Sequence, residues 1–473
     1  MFEKEVYAGR RAALKKAMTK GLAFFVANDE ASMNYPDNTY HYRQDSNFSY
    51  FFGLDHPDLV GVIDFESGEE ILFGQEVTID DIIWCGPLPT LPEQGAMTDI
   101  TDTRDINRFP EYLQSAIEKK RNIHILPPYR GDMLIKLSHW FDTTTDGVQQ
   151  YVSQHLIEEV VKLRQVKSSI EIEEMEQAAL TAYYMHTTAM KMCKPGVIEQ
   201  EISGTIEGIA IARGGMVSFP NIVSIDGQTL HNHGHHNILK EGRMLVVDAG
   251  AETGNYYASD FTRTIPVGGK FDRRQREIYE IVLKANMEVI RNTRPYMEYM
   301  VMHTLAARTI IEGLKDIGLM KGNIDDALMA GAHYLFMPHG LGHMLGMDVH
   351  DMEGLGENNV GYDATTPRST KQGFSNLRCG KTLKPGFVVT DEPGIYFVPT
   401  LIDIWKAENK HKDFINYDKV ETYKDFGGIR IEDDLLITED GNRVLGRPIP
   451  KTIEEVETTC AEAREWFRIP GIF

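Results

Sequence analysis

Positive charge is in short supply in this chain: 49 lysines and arginines stand against 70 aspartates and glutamates, a net charge of −21. So acidic a surface repels nucleic acid and anionic membranes, and neither is expected as a partner. Cysteine is scarcer still. Cys85, Cys193, Cys379 and Cys460 are scattered with no Cys-x-x-Cys, so neither a disulfide framework nor a zinc ribbon is expected. No window is apolar enough for a membrane span, and Met1-Phe-Glu-Lys-Glu-Val6 carries no apolar leader, which points to a cytoplasmic protein. Low-complexity tracts and proline-rich linkers are missing too, although 473 residues suffice for two or three domains.

What is present is an internal repeat. Leu239-Lys-Glu-Gly-Arg-Met-Leu-Val-Val-Asp248-Ala-Gly250 is echoed by Leu383-Lys-Pro-Gly-Phe-Val-Val-Thr-Asp-Glu392-Pro-Gly394. Each copy runs Leu-Lys-x-Gly, a short apolar strand, and a carboxylate six residues past the glycine. A repeat that keeps its acid while the rest drifts predicts a duplicated half-domain whose acids, Asp248 and Glu392, face each other across one site. Two carboxylates brought together repel unless one is protonated or a cation lies between them. The repeat therefore points to a metal.

Asp248 has a partner on its own hairpin. Arg243 to Val247 reads as a strand, Thr253-Gly254-Asn255 as the turn and Tyr256 to Val267 as the return strand. With Gly254 at the centre, Asp248 and Asp260 are direct cross-strand neighbours, a pairing that destabilises a sheet unless a cation compensates it. A one-residue slip would instead leave one of them solvated at the strand end.

Further along, Pro338-His339-Gly-Leu-Gly-His343-Met-Leu-Gly-Met-Asp-Val-His350-Asp351 places three histidines within twelve positions. Neutral imidazole serves as a metal ligand and as a proton carrier. This is not the His-Glu-x-x-His zinc helix, because no Glu follows His339 and two glycines weaken any helix. In Gly427-Gly-Ile-Arg430-Ile-Glu432-Asp433-Asp434-Leu435, alternation puts Arg430, Glu432 and Asp434 on one strand face. Taken alone, Arg430 and Glu432 read as a surface ion pair. Taken together, Asp248, Asp260, His343, Glu392 and Glu432 make a set of four carboxylates and one imidazole. That donor mix suits Mn²⁺, Co²⁺ or Zn²⁺ and excludes copper(I) and iron–sulfur clusters. Two divalent ions would balance the four anions, with a bridging hydroxide as nucleophile.

The pattern resembles the pita-bread metallopeptidases, in particular the Xaa-Pro branch of aminopeptidase P and prolidase. Asn34-Tyr-Pro-Asp-Asn-Thr-Tyr-His-Tyr-Arg43 through Phe52-Gly53 is similar to the aminopeptidase-P-type N-terminal domain, and Leu163 to Met175 to the entry helix of the catalytic domain. The resemblance implies an α+β fold, a curved antiparallel sheet backed by helices, with an α/β domain over 1–157 and the catalytic domain over 158–473. It implies that Asp248 binds one ion, Asp260 and Glu432 bridge both, and His343 and Glu392 bind the other. Manganese is placed ahead of cobalt or zinc. It gives His231, His339 and His350 contacts to substrate and the tetrahedral intermediate, Glu392 a second role as proton shuttle, and Arg430 a place against substrate. Proline-containing peptides are the expected substrates, and a homodimer the expected assembly.

The two aspartates lie twelve apart where the family usually has eleven, and Phe219 stands where many relatives have Tyr. The run His231-Asn-His233-Gly-His235-His236 reads as a solvated loop apart from His231. Methionine aminopeptidases share the core fold but do not need this N-terminal domain. Creatinase-like hydrolases and non-catalytic modules on the fold lack ligands that all stand here. Within the Xaa-Pro branch, Gly373-Phe-Ser-Asn-Leu-Arg378 resembles a prolidase segment whose Arg pairs with a substrate carboxylate; the bland reading is an ordinary salt-bridged arginine. The forty-residue interval from Glu392 to Glu432 also looks prolidase-like. The expectation is a dipeptidase, with an aminopeptidase acting on longer peptides as the alternative.

Overall fold

The computed structural model describes residues 1–462; positions 463–473 of the expected second domain lie outside the described residues. Contacts divide the chain into two compact units, Met1–Arg164 with Met352–Asn359, and Gln165–Asp351 with Val360–Phe473. Among the described residues, no helix is long and apolar enough to cross a membrane.

In the first unit, strands at Asp102–Asp105, Glu70–Gly74, Val60–Asp64, Leu22–Val26 and Ile123–His124 lie in that order in one sheet. The inner pairs are antiparallel, the two outer ones parallel. Leu22-Ala-Phe-Phe-Val26 is apolar without alternation because both faces are covered. Leu22 and Phe24 pack with Phe109, Leu113 and Phe141 on one side, while Phe25 meets Phe51 and Phe52 on the other.

The second unit is built as two related halves. Each opens with a helix pair, Ser169–Met192 with Glu199–Ala212 in the first and Arg273–Asn292 with Tyr299–Asp316 in the second. Strands then follow, Met244–Asp248 paired with Thr262–Pro266, and Val388–Asp391 paired with Asp433–Ile437. The duplication reaches the links between the helices, Lys194-Pro-Gly-Val197 and Arg294-Pro-Tyr-Met297. Gly196 and Tyr296 both turn left-handed, with φ of 90° and 68°. Gly196 N–H donates to Leu239 O at 2.9 Å, and Tyr296 N–H to Leu383 O at 2.8 Å. Those two leucines open the sequence repeat, so equivalent backbone bonds tie equivalent positions. The fold is the α+β pita-bread arrangement.

Three expectations need correction. The entry helix expected through Leu163 to Met175 is interrupted, and Gln154–Arg164 and Ser169–Met192 are separate helices. Lys167 N–H leaves the helix to bond Gly386 O, and Ser168 with Glu171 forms a capping box that starts the next helix. The strand expected across Arg430 to Asp434 also breaks: Gly428–Arg430 pairs with Gly394–Tyr396, whereas Asp433–Ile437 pairs with Val388–Asp391. The hairpin, finally, is not centred on Gly254.

Candidate active site

Asp248 ends its strand opposite Thr262, and Glu252 bridges Ala258. The hairpin therefore centres on Asn255, with Tyr256 taking the left-handed corner at φ 67°. Carried along the pairing, Asp260 stands opposite Gly250, diagonal to Asp248 rather than facing it. The error is an even number of residues, so both aspartates still point to one face.

The loop carrying His343 lies against the strand that leads to Glu392. Met344 bridges Val389, and Thr390 N–H donates to His343 O at 3.0 Å. Gly342 makes this approach possible, because a Cβ there would lie 2.0 Å from Thr390 O. Asp260, His343 and Glu432 each bring one ligand atom to within 4.8 Å of the others, all three buried. His343 Nε2 is 3.4 Å from Asp260 Oδ2 and 3.8 Å from Glu392 Oε1. Its other nitrogen faces Met344 O at 3.0 Å. A carbonyl only accepts, so Nδ1 carries the proton and the Nε2 lone pair is turned to the carboxylates.

The second half reaches over through Glu432, which bridges Thr262 and accepts from its hydroxyl at 2.6 Å. Arg430 is buried, with Nε donating to Thr262 Oγ1, Nη1 to Tyr396 Oη at 2.8 Å, and Nη2 to Asp248. Tyr396 Oη is 2.9 Å from His339 Nε2, whose Nδ1 donates to Gly340 O and lies 3.5 Å from Glu392 Oε2. Asp248, Arg430, Tyr396 and His339 thus form one hydrogen-bonded chain. Asp260 N–H donates to buried Asp434 at 3.0 Å.

Burial, then the charge of Asp248, holds Asp260 well above the ordinary carboxylate range; burial, then Asp260, does the same for Glu432. Burial lifts Glu392 to about 7. It lowers His343, and takes His339 and His350 down to about 3. The donor set passes a test for metal. Among the described residues, Asp248 Oδ1 and Asp260 Oδ1 are buried without a hydrogen-bond partner, a costly state for carboxylate oxygens unless a cation takes them. The cluster is a candidate metal site of hard oxygen donors and one imidazole.

The remaining expected residues surround it. The His350 ring lies 4.2 Å, centre to centre, from that of His343. His231 lies in a loop and keeps much of its surface exposed, while partial desolvation, followed by the charge of Arg430, lowers its pKa. The rest of that histidine run is held by Asn232 on Ser224 and His235 on Val223 O. Half-buried Arg378 is near enough for its charge to depress both His343 and His350. Sequence reasoning missed Thr262 and Tyr396. The correct hairpin register would have found Thr262, and alternation from Gly394 marks Tyr396 as pointing with it.

Residues 173–439 match metallopeptidase family M24, and residues 7–126 the aminopeptidase P N-terminal domain. The chain belongs to metallopeptidase family M24. It is 31% identical over 432 residues to the human Xaa-Pro dipeptidase, covering 89% of this chain and 84% of that one. It is 32% identical over 426 residues to a probable Xaa-Pro aminopeptidase of Fusarium vanettenii, at 88% and 87% coverage. The solved structure of Zn-substituted E. coli aminopeptidase P in complex with product superposes with a TM-score of 0.79 at 28% identity, covering 98% of this chain and 100% of that one.

Proposed function

We propose that this member of the family cleaves the Xaa–Pro bond at a free N-terminus, and that it acts as a dipeptidase in preference to an aminopeptidase. The observation that carries the peptidase reading is the buried cluster of Asp260, His343 and Glu432 with two unsatisfied aspartate oxygens beside it. Asp248, Asp260, His343, Glu392 and Glu432 would hold two divalent ions, manganese ahead of cobalt or zinc. Such ions acidify a water molecule towards neutral pH and polarise the scissile carbonyl.

The protein's own groups supply the rest. Glu392, with its proton affinity raised by burial to about 7, is suited to take a proton from water and deliver it to the leaving proline nitrogen. His339 beside it keeps Nδ1–H directed at Gly340 O and Glu392, because its Nε2 is occupied by Tyr396. His350 and His231 would donate to the developing oxyanion. Arg430 has each of its three nitrogens bonded within the protein, and that supports a role in fixing Asp248 and Tyr396 rather than one in holding substrate. Phe219 leaves any hydroxyl contact expected there to another residue.

Arg378 favours the dipeptidase branch. Proline at the end of a dipeptide presents a carboxylate, and a guanidinium pairs with it bidentately. With Ala-Pro and Ala-Pro-Ala assayed side by side, the dipeptide should win, and Arg378→Ala should raise its KM far more than the tripeptide's. A preference for the tripeptide that Arg378→Ala leaves untouched would reverse the assignment. A domain division at 157/158, a homodimeric assembly, a cytoplasmic setting and indifference to nucleic acid and membranes complete this reading.

A further inference from the structure

Of the buried histidines outside the metal cluster and outside every role given above, His186, His303 and His333, the last two share one partner. His303 sits on the helix Tyr299–Asp316, and His333 on the short turn Ala332–Leu335; both are fully buried. Their Nε2 atoms converge on one oxygen, Gly373 O, at 2.7 Å and 3.2 Å. Since a carbonyl only accepts, both Nε2 atoms must carry protons. The two Nδ1 atoms are then acceptors, and each is buried with no partner among the described residues. Burial lowers both rings to about 4, so the donors stay neutral and in this tautomer near neutral pH.

The rings also hold Phe374 edge-on, with centres 5.3 Å and 5.6 Å away. Gly373 turns left-handed at φ 84°, and a Cβ there would lie 2.5 Å from His333 Nε2. From this grip the chain runs five residues to Arg378. The far end is pinned as well: Tyr362 donates to Leu377 O at 2.5 Å, and Asn376 to Pro338 O, beside His339, at 2.8 Å. A side chain that must meet a carboxylate needs its backbone held within about 0.5 Å. A single buried histidine donating to a carbonyl is an ordinary core feature. Two spending their donors on one oxygen, at the root of this segment, are not explained by core packing.

We propose that His303 and His333 are positioning residues that set the dipeptide specificity of the site, by clamping Gly373 O and so fixing the segment that carries Arg378. This rests on the reading that Arg378 binds the substrate carboxylate. The experiment compares His303→Leu, His333→Leu and Arg378→Ala on Ala-Pro and Ala-Pro-Ala, with metal content measured on each folded protein. Each leucine variant should raise the KM for Ala-Pro by about tenfold, the scale of one lost buried hydrogen bond. It should leave kcat, the tripeptide KM and metal content within about twofold. His303→Gln and His333→Gln, which keep an N–H donor, should restore most of the loss. Where a leucine variant does not fold, the asparagine variant at that position, polar but too short to reach the carbonyl, carries the same expectation. If Arg378→Ala raises the dipeptide KM and the histidine variants do not, the clamp is overturned while the carboxylate reading stands. The clamp is overturned equally if the histidine variants depress both peptides and metal content together. If Arg378→Ala leaves the dipeptide KM unchanged, the carboxylate reading fails and the inference falls with it.

Discussion

Asp260→Asn is expected to abolish metal occupancy and hydrolysis while the fold survives. Asp260 Oδ2 faces His343 Nε2 at 3.4 Å, its Oδ1 has no hydrogen-bond partner among the described residues, and its backbone N–H is already satisfied by Asp434. The substitution keeps shape and backbone contacts and removes the charge. Loss of a group that only supports a ligand costs about 10–100-fold, and loss of a carboxylate proposed to hold the ions should cost more, on the order of 10³-fold or more in kcat/KM. The effect on stability should have opposite signs in the two metal states. In chelator, the variant should melt no lower than the wild type, because one of several repelling buried carboxylates has gone. With Mn²⁺ at about a hundred times its dissociation constant, the wild type should gain about 2.7 kcal/mol per ion and the variant far less. Near-normal turnover with full metal content would defeat the dinuclear assignment.

The second large effect separates two histidines whose rings nearly touch. His343 has Nδ1 held by Met344 O and Nε2 turned into the carboxylates, the geometry of a ligand. His350 stands beside it, outside the cluster of ligand atoms. His350→Ala should therefore lower kcat by about 10²–10³-fold, the range for losing one oxyanion donor, and leave metal content unchanged. His343→Ala should lose metal as well as rate. Equal loss of metal from both would show that the division between ligand and substrate contact has been drawn wrongly.

Much of the site was legible because duplication and glycine leave strong marks. The Leu-Lys-x-Gly repeat drew attention to Asp248 and Glu392, and the glycines that argued against a zinc helix around His343 include Gly342, which the structure packs against Thr390 O. Positions that depend on register were harder. Nothing local favours a turn centred on Asn255 over one centred on Gly254, since the left-handed residue is Tyr256, a side chain that seldom takes that conformation. The interruption of the entry helix at Lys167 combines a tertiary bond to Gly386 O, some two hundred residues away, with the local capping box of Ser168 and Glu171, a signal the sequence did carry. Arg430 read as half of a surface pair because its partners lie elsewhere in the chain, Asp248 and Thr262 on one hairpin and Tyr396 on another strand. The histidine clamp on Gly373 was invisible for the same reason. His303, His333 and Gly373 share no motif, and only the folded chain brings them to one oxygen.

The central claim is that this chain builds a two-ion hydrolytic site, and the direct measurement is a titration of chelator-treated protein with Mn²⁺, following bound metal and Ala-Pro hydrolysis together. Two ions per wild-type chain, with activity rising as they bind and neither response in Asp260→Asn, is the predicted result. Protein that binds no divalent ion and hydrolyses nothing on Mn²⁺ addition would contradict it.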